Sequence, residues 1–134
     1  MKAIQDLWIL TNTGVVVFNR VFDAQLKTQL FGALMSALNS FAEQLAEGGL
    51  SNFELSDKRF IIMKKKNFLF VANSAKKIKE KRVIEQLGKI AKTFFQKYEN
   101  NLVDWDHDIS VFSDFEKDIG DSLQDPIKEF WKGF

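Results

Sequence analysis

Apolar residues in this chain fall into short continuous runs and longer helical repeats, and their order predicts the fold. Leu7-Trp8-Ile9-Leu10 and Val15-Val16-Val17-Phe18 are short runs rich in β-branched and aromatic residues. Asn12-Thr13-Gly14 separates them. Glycine supplies the positive φ of a tight turn, so the pair reads as a hairpin. Apolarity that is continuous rather than alternating implies a sheet covered on both faces.

From Ala24 to about Glu47 the period becomes helical. Leu30, Leu34, Leu38, Phe41 and Leu45 form the stripe, broadened by Phe31, Met35 and Ala42. Asp23 stands where an N-cap belongs, and Gly48-Gly49 where a helix stops. At 1.5 Å per residue this helix reaches about 35 Å, enough to cross a small sheet.

Three strand-like segments follow: a weak one at residues 50–55, a clear one at 59–63 and another at 68–72. Ser56-Asp57-Lys58 and Lys64-Lys65-Lys66-Asn67 are the turns between them, and such close spacing favours an antiparallel meander. A second helix runs to about Asn100, with Val83, Leu87, Ile90, Phe94 and Tyr98 as its stripe and Ile84, Ala91 and Phe95 alongside. Residues 104–110 read as a polar loop. Ser113-Asp114-Phe115-Glu116 matches a capping box, opening a short third helix with Phe115, Ile119 and Leu123. Pro126 breaks it. In the tail, Ile127, Phe130, Trp131 and Phe134 stand at i, i+3, i+4 and i+7.

A sheet of apolar strands needs cover on both faces. The first helix covers one and the last two the other. The expected fold is α/β (α+β), a three-layer α-β-α sandwich on a five-stranded, mainly antiparallel sheet.

Composition adds restrictions. The chain of 134 residues suits one domain, here residues 1–125 with 126–134 as an amphipathic aromatic tail. Fourteen phenylalanines make the core largely aromatic. With no cysteine, disulfides and thiolate metal sites are excluded. Residues 1–5 lack the features of a secretory signal, and no apolar run approaches a membrane span. A cytoplasmic protein, peripheral to membranes at most, is expected. Net charge is +1, yet residues 58–97 carry thirteen bases and two acids while residues 98–134 carry ten acids and three bases. A near-neutral total therefore conceals a basic middle and an acidic end.

Candidate chemistry is sparse. Asp104, Asp106 and Asp108 alternate like the first ligands of a calcium loop, but Ile109 and Phe115 occupy the places that need Gly and Glu. His107, the one histidine, has no second ligand at metal spacing. No matched acid–base pair or nucleophile arrangement stands out, so no enzyme, cofactor or metal is expected. The basic clusters at Lys64-Lys65-Lys66 and at residues 76–82 are expected towards opposite ends of the sheet. Their partners are solvent, an anionic membrane surface or an acidic protein. Nucleic acid is not expected, because the nearby aromatics fit strand cores better than stacking platforms. Phe130, Trp131 and Phe134 either dock on the domain or serve as an exposed anchor.

The order β-β-α-β-β-β-α-α resembles that of the longin domain. Residues 7–14 resemble its first strand and glycine turn, residues 34–42 (Leu34-Met35-Ser36-Ala37-Leu38-Asn39-Ser40-Phe41-Ala42) its first helix. Phe94-Phe95-Gln96-Lys97-Tyr98, followed by Trp105 and Phe112, is similar to the end of its second helix and the run into the third. Stand-alone archaeal longin-like proteins are the nearest in organisation. A roadblock domain, the related profilin-like fold, begins with a helix for which residues 1–6 are too short. Fusion-type longins continue into a coiled coil and anchor, absent by residue 134.

The resemblance implies a non-catalytic interaction module. It implies a scaffold or regulatory subunit in a membrane-trafficking-like system, binding small GTPases, pairing with another longin or roadblock protein, or forming a homodimer. Partner contact is expected through the first helix (Phe31, Met35) or an edge strand (residues 15–22 or 50–55, with Leu50 and Phe53). Lys64, Lys65, Lys66, Lys76, Lys77, Phe130 and Trp131 complete the candidate contact set.

Overall fold

The computed structural model describes residues 3–21, 28–46 and 51–120 together with Leu123. Strands β1 (Asp6–Thr11) and β2 (Val16–Arg20) form the expected hairpin. Helix α1 spans Thr28–Leu45, followed by β3 (Asn52–Glu54), β4 (Lys58–Lys65) and β5 (Phe68–Ala75). Helix α2 runs from Glu80 to Val103, a 3-10 helix from Ile109 to Phe115, and α3 from Glu116 to Ile119. The strands form one antiparallel sheet in the order β2-β1-β5-β4-β3, so β2 and β3 are the edges, as expected.

Side-chain alternation along the strands builds two cores. Leu7, Ile9, Phe68, Phe70 and Ala72 face α2 and the 3-10 helix, where they meet Leu87, Phe94, Phe112 and Phe115. Trp8, Leu10, Leu69 and Val71 face the other way and meet Met35 and Val16. The first core is dominated by edge-to-face rings: Phe94 meets Phe70 at 5.7 Å and Phe115 at 5.4 Å, the geometry favoured by the aromatic quadrupole. The three layers are thus α1, sheet, and α2 with the 3-10 helix and α3.

Several boundaries differ from the sequence expectation. β4 and β5 extend to eight residues each, because a two-residue turn at Lys66 (φ 47°) and Asn67 (φ 68°) lets pairing continue to Lys65 and Phe68. β3 shrinks to three residues. The capping box at Ser113 does not form. Asp108 caps instead, its Oδ1 accepting from the Ser110 backbone N–H at 3.0 Å, so a 3-10 helix starts inside the expected loop. Ile84, expected beside the α2 stripe, is exposed. The expected caps at Asp23 and Gly48-Gly49 and the tail from Pro126 onward lie outside the described residues.

Candidate interaction surface

Helix α1 is mounted with its bulky face outward. Leu30, Leu34, Leu38, Phe41 and Leu45 are exposed by 68%, 54%, 39%, 63% and 75%. At 100° per residue these five lie within an arc of about 80°. The buried residues of the helix are Gly32, Met35 and Asn39. The stripe that periodicity marks as a packing face therefore points away from this domain's own sheet.

The inward side explains the choice. Gly32 lies against the β1–β2 turn, where an added Cβ would stand 2.5 Å from the Gly14 carbonyl oxygen. Ser36, one turn on, donates from its hydroxyl to the Asn12 carbonyl at 2.9 Å. Gln29 takes the Val16 N–H at 3.0 Å and donates back to the Val16 carbonyl at 3.1 Å. At the far end Glu43 accepts from Lys64 on β4 at 3.0 Å, and this bond, with a smaller contribution from Asn39, lowers the carboxyl's pKa. Small and polar side chains thus bring the helix close to the hairpin and tie it down. Leucines cannot make that approach.

Residues 28–45 contain one charged side chain, Glu43. A solvated helix face ordinarily carries charges, and a membrane-surface helix carries Lys or Arg on its polar side. α1 has neither. Its outer face is an uncharged ridge of large aliphatic and aromatic groups, a contiguous apolar patch of the kind that marks an interaction site.

The sequence-nominated residues distribute as follows. Phe31 is half-buried and stacks on Trp8 at 4.3 Å. Met35 is buried, so it supports the helix from beneath. Phe53, on edge strand β3, stacks on Phe60 at 4.6 Å, and Phe31 approaches the same ring at 6.1 Å. An aromatic row thus links the base of α1 to the β3 edge. Lys64 pairs with Glu43, Lys65 is exposed at the end of β4, and Lys66 sits over the Phe95 ring at 5.0 Å. Lys76 pairs with Glu54 at 3.1 Å and Lys77 is exposed. Strand β5 separates the two lysine clusters by about 25 Å. Leu50, Phe130 and Trp131 lie outside the described residues.

Sequence reasoning named the five stripe residues but assigned none of them to partner contact. The available signal was the pair of small residues at i and i+4, Gly32 and Ser36, which marks the close-packed side.

The other candidates resolve locally. Asp106 Oδ1 accepts from the Asp108 N–H at 3.1 Å, so two of the three alternating acids serve their own backbone. His107 holds a left-handed φ of 69° beside Trp105. No group of His, Cys, Asp and Glu among the described residues is arranged to hold a metal. An open cavity of about 350 Å³ at the C-terminal end of α2 is lined chiefly by Phe68, Phe95, Leu102 and Trp105.

Residues 5–98 match the family described as the first longin domain of FUZ, MON1 and HPS1. The chain belongs to this longin family. No curated protein matches it in sequence. Among solved structures, Myxococcus xanthus MglB aligns with a TM-score of 0.61 at 12% identity, over 77% of this chain and 83% of that one. A Roadblock/LC7 domain from Streptomyces avermitilis aligns with a TM-score of 0.55 at 14% identity, over 72% of this chain and 85% of that one. At such identities these neighbours share the fold of the longin domain, the roadblock-like arrangement of helix, antiparallel sheet and helix.

Proposed function

We propose that this longin domain is a non-catalytic interaction module that works as a pair, joining a second longin-type domain across the outer face of α1. The observation that carries the reading is the outward row of Leu30, Leu34, Leu38, Phe41 and Leu45 on a helix whose inner side is small and polar. A stable interface buries roughly 800 Å² per partner. Five large side chains, with Ala33 and Ala37 between them, supply much of that area. A face without charge meets its own copy without repulsion, which suits a two-fold pairing. The exposed edge of β3, beside the aromatic row, offers backbone groups that extend the contact.

Family membership supports the broader role: a scaffold or regulatory subunit for a small GTPase in a trafficking-like system, with the pair as the platform. The test is molar mass in solution by light scattering across a concentration series, for the native chain and the Leu34→Glu/Phe41→Glu variant. The reading expects a native dimer and a folded monomeric variant. A native chain that stays monomeric at high micromolar concentration, alone and with longin or roadblock partners, removes it. Capture of a small GTPase with a GTP analogue but not GDP then tests the platform role.

A further inference from the structure

The sheet sorts the basic residues into two groups that the linear charge pattern merges. Ala75 at the end of β5 pairs with Lys58, and Phe68 at its start pairs with Lys65. The β3–β4 turn and the connection into α2 therefore share one end of the domain. The β4–β5 turn, Trp105 and His107 share the other. At the first end, residues 54–59 and 76–82 hold seven bases and three acids, a balance of +4. At the second, residues 64–67 and 99–108 hold three bases and four acids, a balance of −1.

Within the basic end the cations differ in how they are used. Glu54 takes Arg59 at 3.1 Å and Lys76 at 3.1 Å, and Arg59 also donates to the Ile78 carbonyl at 3.3 Å. Buried Ile78 anchors the connection and leaves Lys77 and Lys79 exposed on either side of it. Lys77, Ile78, Lys79 and Arg82 line an open depression of about 480 Å³, and Lys81 is exposed beside it. Cations next to the start of α2 oppose its dipole, and Lys79 at the N-cap forms no side-chain cap. The charges are thus placed where folding disfavours them. Leu55 in the β3–β4 turn and Ile84 in the first turns of α2 are exposed large apolar groups at the same end.

We propose that this basic end docks on an anionic lipid surface. Lys77, Lys79 and Lys81, exposed beside the paired Lys76, are compact point charges on flexible stems that suit a diffuse negative potential. Recognition of a single phosphate would favour bidentate arginines. Residues 54–59 and 76–82 contain no aromatic residue, so stacking on nucleic-acid bases is not provided for. Leu55 and Ile84 supply the apolar contact that interfacial binding adds to charge. Docking here leaves the α1 face open, because α1 is tied to Asn12 and Lys64 at the opposite end of the strands. The proposal therefore stands independently of pairing through α1.

The test is co-sedimentation of the full chain with phosphatidylcholine vesicles, with and without phosphatidylserine, at low and physiological salt. Three proteins are compared: the native chain, Lys77→Glu/Lys79→Glu/Lys81→Glu, and Lys64→Glu/Lys65→Glu/Lys66→Glu, which carries the same net charge at the other end. Far-ultraviolet circular dichroism confirms that each is folded. The expected result is binding only to phosphatidylserine vesicles, weakening with salt, with at least about a tenfold loss for the first variant and less than about threefold for the second. Equal binding to neutral vesicles, equal losses in both variants, or no vesicle binding at low salt overturns it. Binding of polyglutamate without vesicle binding also overturns it, in favour of an acidic protein partner.

Discussion

Gly32 of α1 and Gly14 of the β1–β2 turn meet so closely that a Cβ on Gly32 would lie 2.5 Å from the Gly14 carbonyl oxygen and 2.6 Å from Val16 Cγ2. Gly14 itself has φ +100°, a conformation that other residues adopt only with strain. This glycine contact determines how near α1 sits to the sheet and which of its faces is hidden. The small side turns inward because only it fits, and the leucines turn outward as a consequence.

Gly32→Ala tests that relationship. Alanine improves intrinsic helix propensity by roughly 1 kcal/mol, so an unconstrained site gains stability. Here the added methyl meets backbone, which cannot rotate away, and overpacking of this kind costs about 1–3 kcal/mol. Urea denaturation is expected to show a net loss or at best no gain. A clear gain in midpoint shows that α1 is not held against the turn.

Tyr98 is the chain's single tyrosine, so tyrosinate absorbance reports it directly. Burial, and then its hydrogen bond to Asp114 at 3.0 Å, raise its pKa well above the ordinary tyrosine value. The same bond, with help from Lys97, lowers that of Asp114. Lys97 is raised, first by Asp118 and then by Asp114. Raised groups contribute stability that is present below their unfolded pKa values and lost as pH rises through the folded ones. For Tyr98 and Lys97 that loss begins above about pH 10. Lowered Asp114 contributes stability present above about pH 4 and lost as pH falls further. Absorbance titration is expected to show Tyr98 ionising only as the fold opens. Asp114→Asn brings the midpoint down partway, since burial remains. A native midpoint near 10 contradicts this account.

Asp108 caps the 3-10 helix through both the backbone N–H and the hydroxyl of Ser110, at 3.0 and 2.7 Å. Asp108→Ala is expected to lower the melting temperature, and Asp108→Asn to recover most of the loss, because asparagine caps as well. Ser113→Ala, at the capping position suggested by sequence, is expected to be neutral. The reverse ranking in thermal melts restores the capping box.

The two edge strands followed from the resemblance to the longin topology, while the succession of strands and helices and the layer arrangement were legible from periodicity, because burial on two faces writes continuous apolar runs. The orientation of α1 was not. A stripe of leucines reveals that a helix has an apolar side, but periodicity is blind to whether that side meets its own sheet or something else. Gly32, Ser36 and Asn39 carried the missing information as the opposite, close-packing side. The third helix went astray for a different reason. Ser113 and Glu116 satisfy a local capping pattern, yet Phe112 and Phe115 are drawn into the core beside Phe94, and that tertiary demand starts the turn at Asp108. The two basic clusters were expected towards opposite ends of the sheet from the strand spacing, and the β4–β5 register places them there.

Neighbouring residues on α1 give the sharpest check of the inverted helix. Leu34 and Met35 are adjacent in sequence, 54% and 2% exposed. If Leu34 served the core, Leu34→Gln would cost several kcal/mol. Mounted as described, it is expected to change monomer stability by less than about 0.5 kcal/mol, as surface substitutions do. Met35→Ala, which empties space among Trp8, Leu10 and Val16, is expected to cost about 2–5 kcal/mol. Both should be measured by denaturation at high dilution, where pairing contributes least, and again at high concentration. The Leu34 variant should then fall behind the native chain by a margin that grows with concentration, since only the native pair gains from mass action. A Leu34 penalty that is large at every concentration returns the stripe to the core and removes the surface on which pairing depends.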